Sequence, residues 1–165
     1  MHDTTGGILR DGLFAGLIGY LTVVVLFATA NVFAGHSIFH TAAMLGSALF
    51  FGLDDPAALI VTPAPVLAYN MVHVLVFLGL GMLMALLVSI AERFPVARYG
   101  LLFALIFVAA HLYGAMLLFA LPLLPHASWQ IGFATVAAAV AMGWFLIARH
   151  PALRHSFTTV PMGEE

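Results

Sequence analysis

The sequence predicts an all-α polytopic membrane protein with four transmembrane helices and a short interfacial or re-entrant helix. Three observations carry that reading. The 165 residues are 64% hydrophobic and 7% charged, with mean hydropathy +1.12. A water-soluble domain of this length needs more polar cover than that. Four apolar runs are each long enough to cross a hydrocarbon core of about 30 Å, which takes roughly 20 helical residues. The five positive residues, Arg10, Arg93, Arg98, Arg149 and Arg154, all fall on one face of the membrane those runs imply.

The runs are Ile8 to Phe33, Val66 to Ile90, Tyr99 to Leu121 and Trp129 to Ala148. Each is expected to be helical, because an open strand leaves backbone amides unpaired in lipid. Glu92-Arg93-Phe94-Pro95 ends the second run and Arg149-His150-Pro151 ends the fourth, since proline cannot continue a helix. Pro122 and Pro125 bracket the turn after the third. Trp129 and Trp144 mark opposite ends of the fourth, where amphipathic rings favour the headgroup level. Residues 1–151 thus form one transmembrane domain, and 152–165 a polar tail.

Charge orients the domain. The N-terminus, the 91–98 loop and the tail hold every arginine, while the 34–65 connection and the 122–128 loop hold none and include Asp54 and Asp55. This split predicts both termini in the cytoplasm. The first run is expected to be retained as a span rather than cleaved, despite Ala28-Thr29-Ala30. Its start carries Asp3 and Asp11 against one arginine, and its apolar stretch is too long for a signal peptide.

The outer connection, 34–65, contains a short apolar segment, Ala42 to Phe51, with Thr41 as its expected cap and Asp54-Asp55-Pro56 as its end. About ten residues cannot cross a bilayer, so this helix should lie in the outer interface or re-enter. Arg10-Asp11-Gly12-Leu13 and Arg98-Tyr99-Gly100-Leu101 open the first and third runs alike, a faint sign of two related hairpins.

Gly12-Leu13-Phe14-Ala15-Gly16-Leu17-Ile18-Gly19, Thr41-Ala42-Ala43-Met44-Leu45-Gly46-Ser47-Ala48-Leu49-Phe50 and Tyr69-Asn70-Met71-Val72-His73 resemble segments of small four-span bacterial inner-membrane proteins of unassigned function. The resemblance covers about the first half of the chain. It implies the same topology in a bacterial inner (cytoplasmic) membrane and transfers no site.

Among functional candidates, Gly12, Gly16 and Gly19 place small residues on one side of the first run, where two helices can approach closely. That face suits packing inside the protein's own bundle or against another subunit. Of eight histidines, His2, His150 and His155 read as solvated or headgroup-facing residues at the cytoplasmic ends. His73 and His111 lie within spans, roughly 10 and 15 Å below their outer helix ends. Ionisable groups there are functional candidates. Three readings fit the pair: a structural hydrogen bond, with Asn70 one turn from His73; axial ligation of haem b, held by imidazoles from facing helices; or contact with a quinone or proton. His36 and His40, four residues apart, could hold a Zn or Cu(II) ion if helical, completed by His126, Asp54 or Asp55. Haem b and a divalent metal are thus the cofactors considered, and none is required.

No HExxH, GxSxG, phosphate loop or intramembrane carboxylate pair is present, and the midplane is Leu, Val, Ala and Phe. Zero cysteines exclude disulfides, thiolate metal sites and cysteine nucleophiles, and a net charge of −2 gives no basis for a nucleic-acid partner. The expected partners are the lipid bilayer and other membrane-protein subunits or further copies of the chain. The function expected is that of an accessory, structural or assembly subunit of a larger membrane complex, such as an electron-transfer complex, with no catalytic activity of its own. The alternative is a haem- or metal-binding membrane protein using the intramembrane or outer histidines.

Overall fold

A computed structural model describes residues 4–94, 106, 110, 113–114 and 128–151. The expected third span, including His111, lies outside the described residues apart from Ile106, Ala110, Tyr113 and Gly114, which are helical, and so does His126 of the following loop. His2, His155 and the tail from Ala152 also lie outside them. The described elements are α1 (Thr4–Phe33), α2 (His40–Phe51), a 3₁₀ turn (Pro56–Ala58), α3 (Pro63–Arg93) and α4 (Ser128–Arg149). Three helical segments, Gly7–Phe33, Pro63–Arg93 and Trp129–Arg149, are long and apolar enough to cross a membrane.

α1 is the centre of the assembly. It runs antiparallel to α3, since Gly12 lies against Met82 and Gly19 against Phe77. It also runs antiparallel to α4, with Gly19 beside Met142 and Asp11 beside Arg149. α3 and α4 touch each other little, whereas α2 rests on α3.

Each long helix buries a stripe that mixes small residues with a few large ones and turns most of its bulky residues outward. On α4, Ile131, Ala134, Ala138, Met142 and Leu146 are buried, while Trp129, Phe133, Val136, Val140 and Trp144 are exposed. In lipid no hydrophobic force separates these faces. Close backbone approach along small side chains supplies the packing contact, and the bulky residues suit a lipid environment. Ala15, Ala85, Val88 and Ala91 build the core with Met142 and Leu146 in the same way. Thr22, Ser89 and Thr135 return their hydroxyl protons to carbonyls of Ile18, Leu86 and Ile131. None of the three leaves a polar donor facing hydrocarbon.

The loop into α2 is fixed by Asn31, which is 6% exposed. Its Oδ1 accepts from Thr41 Oγ1 at 2.9 Å and its Nδ2 donates to the Ile38 carbonyl at 3.2 Å. Gly35 makes the turn at φ +74°, a conformation that L side chains rarely adopt. This corrects the expectation that Thr41 caps α2: the helix begins at His40 with Phe39 in the cap position, and the Thr41 hydroxyl goes to Asn31 instead. The end of α2 also differs. Gly52 closes it in the left-handed conformation, ahead of Asp54 and Asp55. Asp55 caps the 3₁₀ turn by accepting from the Ala57 amide at 2.9 Å.

Asn31→Leu keeps the side-chain size and strands the Thr41 hydroxyl and the Ile38 carbonyl. It is expected to cost about 1–3 kcal/mol. Thermal denaturation of purified protein in detergent checks this, with Asn31→Asp as the milder comparison.

Candidate functional site

Two groups of polar side chains stand out, one at each end of the helices.

At the end holding the start of α1 and the finish of α3 and α4, Asp11 is 6% exposed. Its Oδ1 lies 3.3 Å from both Arg10 Nε and Arg149 Nη2. His150 bridges it to α3, with Nδ1 3.0 Å from Glu92 Oε1 and Nε2 3.6 Å from Asp11 Oδ2. That Nε2 is buried and has no hydrogen-bond partner. Contrary to the expectation, His150 is not simply solvated: it sits between two carboxylates contributed by two other helices. The cluster fastens three helix ends and lies far along α1 from the second group.

At the α2 end, a cavity of about 370 Å³ opens between α1, α2 and α3, with Ile131 of α4 at its side. Its walls are apolar, among them Val24, Phe27, Leu45 and Leu67. Its polar groups are Tyr20, Asn31, Thr41, Tyr69, Asn70 and His73. Tyr20 reaches this space because the glycines before it bring α1 onto α3. The Tyr20 hydroxyl donates to Asn70 Oδ1 at 2.9 Å, and Asn70 Nδ2 donates to the Val66 carbonyl at 2.8 Å. The expected His73–Asn70 hydrogen bond is not formed: the Asn70 side chain bonds Tyr20 and the Val66 carbonyl. His73 instead packs in rings: Tyr69 is stacked on it at 5.1 Å, with Phe77 tilted at 5.0 Å and Tyr20 tilted at 6.0 Å between centroids.

The other predicted site residues fall in different places. His36 and His40 are brought together, their rings stacked at 4.2 Å and 11°, but Gly35-His36-Ser37 is a turn rather than helix. Among the described residues no group of three or more His, Cys, Asp or Glu side chains could hold a metal ion. Burial and the neighbouring His36 lower the pKa of His40 from the usual 6.5. Below 6.5 the unfolded chain takes up this proton more readily than the folded one, so the stability that neutral His40 gives above 6.5 is lost as pH falls from there towards the folded-state pKa. His40→Gln is expected to flatten the acid side of the melting-temperature profile as pH falls below about 6.5.

Gly12, Gly16 and Gly19 face α3 and α4. A Cβ on Gly16 would meet the Phe77 carbonyl oxygen and lie 2.8 Å from Leu78 Cα. Gly81 of α3, which the sequence reading passed over, meets Gly12 and Gly16 from the opposite side. Tyr20, Asn31 and Thr41 were also missed as cavity residues. The sequence signal for the asparagine was available: Asn31 and Asn70 are the only asparagines in the chain, and both fall in apolar runs.

Comparison with protein-family models, curated proteins and solved structures finds no match.

Proposed function

We propose that the chain is a four-span protein of a bacterial inner membrane, with cytoplasmic termini, serving as an accessory or assembly subunit of a larger membrane complex. The observation that carries the subunit reading is the distribution of its exposed surface. Large apolar residues cover the outward faces of α1, α3 and α4 along their length, including Leu17, Leu21, Val25, Leu75 and Val140. These faces suit lipid, and most of the described chain lies in them, so a contact with another protein would be made by helix side faces at bilayer depth.

The course of the chain supports the fourth crossing. Phe94 follows α3 at the Asp11–Glu92 end, whereas α4 begins at the opposite end, where Ile131 packs with Leu45 and Phe27. Residues 95–127 join those two ends. The arginine distribution supports the cytoplasmic placement, and the resemblance to small inner-membrane proteins supports the bacterial membrane.

Native mass spectrometry of protein extracted in mild detergent from its own membranes tests the subunit reading. A stoichiometric mass of co-extracted membrane subunits is expected. A bare chain that remains alone across several detergents contradicts it. A chain carrying the mass of haem b and no partner would move the assignment to the alternative reading, with His73 and His111 as its candidate ligands.

A further inference from the structure

We propose that the cavity at the α2 end binds a neutral, membrane-soluble molecule whose flat ring head carries hydrogen-bonding oxygens, of the quinone class, with the head against His73.

The volume, about 370 Å³, falls in the range of small-molecule sites, which are mostly apolar with a few convergent polar groups. The described lining residues carry no carboxylate, guanidinium or ammonium group, so they offer no countercharge to a charged ligand at bilayer depth. Four of the other polar groups are already held by hydrogen bonds within the protein. Asn31 and Thr41 close on each other and on Ile38, and Tyr20 and Asn70 close on each other and on Val66. His73 and Tyr69, stacked on each other, make no side-chain hydrogen bond among the described residues, and the contacts of His73 are with ring faces and edges. A neutral imidazole offers one N–H donor and one acceptor nitrogen, which suit a carbonyl or hydroxyl oxygen.

The surroundings also select shape. Tyr69 and Tyr20, which line the cavity, set aromatic rings beside His73, and flat rings pack well in offset or tilted arrangements against such walls. From His73 the cavity extends past Val24 and Phe27 to Ile38 and Phe39, which are about half exposed at its rim. Along α1, Tyr20 and Asn31 are eleven positions apart, about 16 Å. A ring head at His73 therefore leaves room for the first part of an aliphatic tail to run along apolar walls towards the rim.

The test uses the full-length protein in phosphatidylcholine nanodiscs with an azido-substituted decylbenzoquinone as photolabel and unlabelled decylbenzoquinone as competitor. The expected label falls on the Tyr20–Phe27 and Val66–His73 stretches and is removed by the competitor. His73→Phe keeps the ring and loses the hydrogen bond, so affinity should fall about three- to tenfold. Ala42→Phe fills the cavity from α2 and should remove specific labelling. If that variant does not fold, His73→Phe decides alone. Label that resists competition, affinity unchanged in His73→Phe, or equal competition by a phospholipid without a ring head would each overturn the proposal.

Discussion

Gly16→Leu is expected to prevent α1 and α3 from closing, leaving a protein that aggregates or migrates as an expanded species after extraction. The reason is local. Gly16 rests on α3 backbone, with the Phe77 carbonyl oxygen and Leu78 Cα where its Cβ would be, and Gly81 returns the contact against Gly12 and Gly16. Backbone cannot rotate away as a flexible side chain can. Even alanine must push the helices apart at the position where the core of Ala15, Met84 and Ala85 closes. Overpacking of this kind costs about 1–3 kcal/mol for modest additions and more when backbone must move, so alanine should lower the melting temperature and leucine should abolish a cooperative transition. Gly79→Leu is the control: it lies on the partner helix α3, next to Leu78, with open space around its Cβ position, and should leave the melt nearly unchanged.

Arg149→Leu carries the second largest effect. It removes the only inter-helix partner within 3.5 Å of the buried Asp11 carboxylate among the described residues, leaving Arg10, which is 59% exposed, and His150 at 3.6 Å. Stranding a buried carboxylate costs more than stranding a half-exposed guanidinium. Solvent at Arg149, 45% exposed, discounts the figure, giving about 1–3 kcal/mol. Asp11→Asn should cost less than Arg149→Leu, and the double variant should recover part of the loss. Chemical or thermal denaturation of the three variants in one detergent checks the order.

The long helices were legible because hydropathy over some twenty residues, proline stops and arginine flanks repeat the same boundary. α1, α3 and α4 match their expected spans within a few residues. The partners of single polar groups were less legible. Thr41 has the residue type and position of a helix cap, but its hydroxyl finds Asn31 ten residues away because Gly35 turns the chain back. His150 follows a helix end and reads as solvent-facing, yet the antiparallel packing of α1 with α3 and α4 sets it between Glu92 and Asp11. His73 stood out from its residue type and depth, whereas its aromatic surroundings depended on how α1 and α3 meet.

Single-cysteine accessibility in intact cells tests the central claim, a four-span topology, most directly, because the native chain has no cysteine. Ser37→Cys and Ser128→Cys should react with a membrane-impermeant maleimide from outside. Phe94→Cys and Ser156→Cys should react only after permeabilisation. Phe94 and Ser128 reacting from the same side would remove the crossing between α3 and α4 and contradict the four-span topology.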